Sequence, residues 1–128
     1  MNPWLTMAAL CTLLIGGVHS VMGERRIFRH LREGGVVPTL AEPLLRPYQL
    51  QIVWGSWHLV SIFGLGIAAL LFLAARPDTP PPLRDLMVVC AVLVMLLAAA
   101  LVAFATRGRH LARLALLLTS AMALAGIA

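Results

Sequence analysis

Residues 50–75 read LQIVWGSWHLVSIFGLGIAALLFLAA, a run in which Gln51, Ser56, His58 and Ser61 are the polar side chains. A helix needs ~20 predominantly apolar residues to cross ~30 Å of hydrocarbon, so this stretch predicts a membrane span. Working outward, three more apolar runs of similar length appear: Pro3–Gly23, Leu86–Thr106 and Leu111–Ala128. Little chain is left for a soluble domain. The pattern predicts an all-α, integral membrane four-helix bundle, up-down-up-down, forming a single transmembrane domain over residues 1–128.

Composition agrees. Hydrophobic residues make up 61% of the chain and the mean hydropathy is +0.94, whereas roughly half the residues of a soluble protein are apolar. All ten cationic side chains are arginines, set against Glu24, Glu33, Glu42, Asp78 and Asp85, for a net charge of +5. With no soluble domain to present a basic surface, nucleic acid is not expected as a partner. The charge serves topology and lipid headgroups instead. Cys11 and Cys90 both lie in apolar runs without ligand spacing and read as small packing residues.

Arginine bias sets the expected orientation. Arg25, Arg26, Arg29, Arg32 and Arg46 fall in the first loop, and Arg107, Arg109 and Arg113 in the third connection. The second loop has only Arg76 and Arg84, balanced by Asp78 and Asp85. Both termini are therefore expected outside, in a multi-pass protein of the bacterial inner membrane. Val18-His19-Ser20 resembles a signal-peptide cleavage context, but no cation precedes the first run and four arginines soon follow it. That order opposes export, so the run is read as a retained span.

Within the first span, Gly16, Ser20 and Glu24 share one face, and Thr12, Gly16, His19 and Gly23 its neighbour. Small residues at such spacing allow close helix approach. The helix is expected to continue through Glu24–Glu33, with Ile27, Phe28 and Leu31 on one side, and to stop at Gly34-Gly35. Arg25, Arg26, Arg29 and Arg32 are placed among lipid headgroups. Pro38, Pro43 and Pro47 predict an extended, kinked connector, after which Tyr48, Trp54 and Trp57 form an interfacial aromatic belt. On the second helix Gln51, Trp54, His58 and Ser61 fall on one stripe. Arg76–Pro82 predicts a polyproline-like turn with Asp85 in the first turn of the third helix. Ala99/Ala103 and Ala121/Ala125 offer close-contact pairs in the last two spans, and the terminal carboxylate is expected at the headgroups.

A polar group inside such runs costs free energy unless paired, which singles out His19 and His58. Helical rise places both in the cytoplasmic leaflet, about 7 Å and about 12 Å deep, within reach of Ser20, Glu24, Gln51, Trp54 and Ser61. Three readings follow. The imidazoles lock the helix pair by hydrogen bonds to a serine, a carbonyl or Glu24. Alternatively, one from each helix ligates a haem b axially, with Gly16 and Gly55 making room and loop arginines near the propionates. In the third, His19, Glu24 and His58 hold a single metal ion or handle protons. A di-iron centre lacks its glutamates and Glu-x-x-His pairs. Neither a Ser/His/Asp set nor a glycine-rich phosphate loop appears, so an enzyme has little positive support. His30 and His110 sit in arginine-rich loop sequence and are expected to be solvated.

His19-Ser20-x-x-Gly23-Glu24 with Trp57-His58-x-x-Ser61 resembles a pattern in small bacterial membrane proteins of uncharacterised function, and the likeness covers the first half of the chain. The small multidrug resistance family is similar in length and span number. It depends on a glutamate deep in its first helix, however, and Trp4–Val18 here has no acid. The expected function is an accessory or scaffolding subunit of an inner-membrane assembly, in contact with lipid and with a membrane-protein partner or further copies of itself. The alternatives are a haem- or metal-binding redox protein using His19 and His58, and a proton-coupled small-solute carrier.

Overall fold

The computed structural model describes residues 1–41 and 44–128; Glu42 and Pro43 lie outside the described residues. Among these the secondary structure is entirely helical: α1 (Pro3–Arg26), a 3-10 turn (Phe28–Leu31), α2 (Pro47–Ala74), α3 (Pro81–Ala105) and α4 (Ala112–Ala125). Helices α1, α2 and α3, with 24, 28 and 25 residues, are long and apolar enough to cross a membrane. With 14 residues, α4 is shorter, about 21 Å at helical rise.

Proline chemistry moves two of the expected boundaries. Pro47 opens α2, and the Gln49 carboxamide accepts a hydrogen bond from the Arg46 backbone N–H at 2.9 Å, as half of a capping box. Pro81 and Pro82 open α3 rather than extending a polyproline turn. A first-turn residue has no intrahelical use for its N–H, so proline loses nothing there. Asp85 consequently falls beyond the first turn and pairs with Arg84 at 3.0 Å. In the preceding loop Arg76 donates to Asp78 from Nε at 3.1 Å and Nη2 at 2.8 Å, which holds that exposed carboxyl below its ordinary range.

The chain divides into two compact units, one formed by Met1–Ile15 with Gly64–Ala128 and the other by Gly16–Phe63. The core of the first is built from helical stripes: Leu5, Ala8 and Ala9 from α1, then Leu71 and Ala74 of α2 with Ala75 just beyond it. Val88, Ala91, Val92 and Met95 of α3 join Met122 and Ala123 of α4 there. Small side chains let backbones approach, which matters in lipid, where burying hydrocarbon gives helices no advantage over lipid tails. Helices α3 and α4 pack together after a tight turn with positive φ at Arg107 and Gly108. His110 is exposed there, and its Nδ1 accepts from the Ala112 amide at 3.1 Å. Of the expected alanine contacts, Ala99 is buried, but Ala121 and Ala125 face outward. In α4 Thr119 and Ser120 are buried instead, each donating to the carbonyl four residues back. That internal bond removes the cost of an unpaired hydroxyl.

Asn2 ties three helix ends in this unit. Its Oδ1 accepts from the amides of Trp4 and Leu5 at 3.0 and 3.2 Å, its Nδ2 donates to Gly126 O at 2.7 Å, and its own amide donates to Ala75 O at 2.8 Å. Gly126 has no room for a side chain, since a Cβ would lie 2.6 Å from Leu5.

In the second unit the end of α1 departs from expectation. The helix stops at Arg26, Ile27 takes φ −119° and ψ −68°, and the 3-10 turn carries Phe28 into full burial. Gly34 and Gly35, at φ +66° and +74°, then reverse the chain. The amides of Thr39 and Leu40 both donate to Leu31 O, so the connector folds back onto the 3-10 turn before reaching α2.

Replacing Asn2 with Ala is expected to lower stability by about 0.5–2 kcal/mol, the usual range for losing a side-chain cap. Asn2→Asp keeps the acceptor for Trp4 and Leu5 but loses the donor to Gly126, and should recover only part. Unfolding of the protein in mild detergent, followed by circular dichroism, measures both.

Candidate functional site

The site is built where the C-terminal turns of α1 run antiparallel to the N-terminal half of α2. His19 lies opposite Ser61, Ser20 opposite His58, Gly23 opposite Trp57, and Glu24 opposite Trp54. On α2 the residues 54, 57, 58 and 61 follow helical spacing and form one face. Buried Gly16 would place a Cβ 3.5 Å from Ser61 O, an ordinary contact. Gly23 is different, because any Cβ there would run into the Trp57 indole.

A continuous polar chain links the two imidazoles. His19 Nδ1 is 3.0 Å from Ser61 Oγ, the Ser20 hydroxyl donates to Ser61 Oγ at 2.9 Å, and Ser20 Oγ is 2.9 Å from His58 Nδ1. Aromatic rings wall the chain. His19 stacks on Trp57 with centroids 4.3 Å apart and planes 8° from parallel, while the Trp57 Nε1–H donates to His19 O at 3.0 Å. Phe28 meets Trp57 edge-on at 5.8 Å, and Trp54 meets His58 edge-on at 4.9 Å.

Glu24 closes one end. Its Oε2 accepts from Arg32 Nη2 at 2.9 Å and from Trp54 Nε1 at 3.4 Å, and Arg32 Nη1 engages Oε1. The same Oε2 lies 3.9 Å from His58 Nε2, a buried nitrogen without a hydrogen-bond partner. Arg32 Nε is likewise unpartnered.

The structure thus gathers His19, Ser20, Glu24, Trp54, His58 and Ser61 of the expected cluster. Gln51 is exposed and takes no part. Arg25, Arg26 and Arg29 are exposed, as a headgroup role requires, but Arg32 turns inward to Glu24. Exposed His30 also stands outside the cluster. Neither the burial of Phe28 nor the Arg32–Glu24 pair is expected from the residues alone, because both depend on the break at Ile27. Trp57, expected in the interfacial belt, instead stacks on His19; its place next to His58 and four residues before Ser61 is the available signal.

The chain matches no family model, no curated protein and no solved structure. Its chemistry must be read from the site. Among the described residues no three His, Cys, Asp or Glu side chains are grouped to hold a metal ion, and this includes His19, Glu24 and His58. A haem with two axial imidazoles needs both rings to address one iron across the porphyrin plane. Here each Nδ1 engages a serine, those serines bond one another in the link between the rings, and His19 is stacked on Trp57. The space between the two rings is thus taken by the serine pair, and each Nε2 is left outside it. The arrangement joins two helices through side-chain hydrogen bonds, and its links are of the kind that protons cross.

Gly23→Ala is expected to cost about 1–3 kcal/mol, the ordinary range for overpacking. It should also shift Trp57 emission in a variant lacking Trp4 and Trp54. In a double-mutant cycle with Trp57→Ala the two losses should be strongly non-additive.

Proposed function

We propose that this protein is a four-span component of a bacterial inner membrane that works by association, as an accessory or scaffolding subunit of a membrane assembly. The observation that carries this reading is a contrast. The polar side chains between α1 and α2 bond largely to one another, whereas the outward surface is hydrocarbon. Leu97, Leu101 and Phe104 of α3 are 71%, 67% and 85% exposed. Such faces suit lipid tails or partner helices. A His19–Ser61 and Ser20–His58 connection acts as helix glue, worth about 1 kcal/mol per interhelical bond in a membrane.

Four crossings are supported by the tight turn that brings α4 back along α3, although α4 itself is short. Arginine placement supports both termini outside, and the exposure of Arg25, Arg26 and Arg29 is what contact with cytoplasmic headgroups requires. The bacterial assignment rests on the His-Ser-x-x-Gly-Glu and Trp-His pattern.

Two measurements test the proposal. In a cysteine-free background, Val36→Cys should react with an impermeant maleimide only from the cytoplasmic side, and Asp78→Cys only from outside. Photo-crosslinking at Leu97 or Leu101 in intact cells should yield a discrete adduct with a membrane protein or a second copy. A protein that stays monomeric in mild detergent and gives no adduct contradicts association.

A further inference from the structure

We infer that His58, Ser20, Ser61 and His19 form a reversible proton relay, loaded at His58 Nε2 beside Glu24 and discharged at His19 Nε2. The inference is independent of any partner. Two neutral imidazoles and two hydroxyls bring four N–H or O–H hydrogens to a chain with three links. Each link takes one. A relay needs both serine hydrogens within the chain, and the fourth then sits on an outer Nε2, which leaves two relay-competent arrangements. In the relay arrangement with Ser20 donating to Ser61, His58 Nδ1 donates to Ser20, and Ser61 to His19 Nδ1. The outer hydrogen is then on His19. His58 is left with a bare Nε2 lone pair, buried without a partner and 3.9 Å from the Glu24 carboxylate.

That nitrogen is where a proton enters. When His58 Nε2 is protonated, its Nδ1 hydrogen passes to Ser20 Oγ, the Ser20 hydrogen to Ser61 Oγ, and the Ser61 hydrogen to His19 Nδ1. His19 then passes its Nε2 hydrogen to a water molecule. One proton has entered and one has left, and only N–H and O–H bonds have changed. The reversed chain points the His58 Nε2–H at Glu24, which favours it, and the opposite passage restores the first arrangement. The links of 2.9, 2.9 and 3.0 Å are within hydrogen-bonding range.

The groups facing His58 support this role from every side. From α1 come Ser20 and Glu24, after α1 come Phe28 and, through Glu24, Arg32, and from its own helix Trp54. Arg32 offsets part of the Glu24 charge, which keeps the carboxylate from holding the proton permanently on His58. His58 lies three residues before Ser61 on α2, so the relay spans about 4.5 Å along that helix.

The test uses 15N-histidine-labelled full chain carrying His30→Gln and His110→Gln, in vesicles of phosphatidylethanolamine and phosphatidylglycerol. Solid-state NMR reads the protonation of all four ring nitrogens. With both rings neutral, the relay requires opposite tautomers, Nδ1–H on one ring and Nε2–H on the other. On acidification both rings should respond in the same step. Ser20→Ala should abolish the tautomer match and the shared response, so that each ring responds alone. Ser20→Thr, which keeps the hydroxyl, should preserve both, and Ser61→Ala serves if Ser20→Ala does not fold, as judged by circular dichroism. Identical neutral tautomers, or His19 signals unchanged in a folded serine-to-alanine variant, overturn the inference.

Discussion

A hydroxyl or imidazole in hydrocarbon must find its partner inside the protein, and the link between Ser20 and Ser61 is where this chain meets that demand. Each serine also takes one histidine of the opposite helix, so a single 2.9 Å contact joins two rings that would otherwise each face lipid alone. The register of α1 on α2 follows. Shifting either helix by one residue would separate His19 from Ser61 and Ser20 from His58 together. In water such a slip would be softened by solvent; in lipid the freed groups have nothing to replace their partners.

Close approach makes these bonds reachable. Gly23 clears the ground that the Trp57 indole occupies, and the indole in turn carries His19 on its face and holds the His19 carbonyl. Phe28 completes the wall only because α1 ends at Arg26 and the 3-10 turn redirects it. The same break brings Arg32 back to Glu24, eight positions earlier. A continuous helix would have placed those two more than two turns apart. Packing and electrostatics at the mouth of the site thus share one cause.

Much of this was legible in the residues. Apolar runs of membrane length announced the helices, and two histidines inside such runs marked where polar chemistry must be. Ser20, Trp54 and Ser61 followed from helical spacing. Other features were not legible, for physical reasons. Gln51 sits on the same stripe as His58, but periodicity fixes a face and not a depth, and here that turn is exposed. Consecutive prolines read as a polyproline-like turn until one asks which residues of a helix have no use for their N–H; Pro81 and Pro82 occupy those positions. Asn2 gave no signal beyond a favourable capping residue, yet it reaches α4 through Gly126, and no local rule anticipates a contact across 124 positions. Ala121 and Ala125 show the converse, since small-residue spacing permits a contact without requiring one.

The central claim is that the imidazoles meet through serine hydroxyls and not through a cofactor or lipid. It is tested most directly by the distance between Ser20 Cβ and His58 Nδ1 in the bilayer, measured by dipolar recoupling on 13C-serine, 15N-histidine protein. A hydrogen bond from that ring nitrogen to Ser20 Oγ requires about 3.5–4 Å. A separation beyond about 6 Å would mean that the rings find other partners, and the helix register argued from them would fall with it.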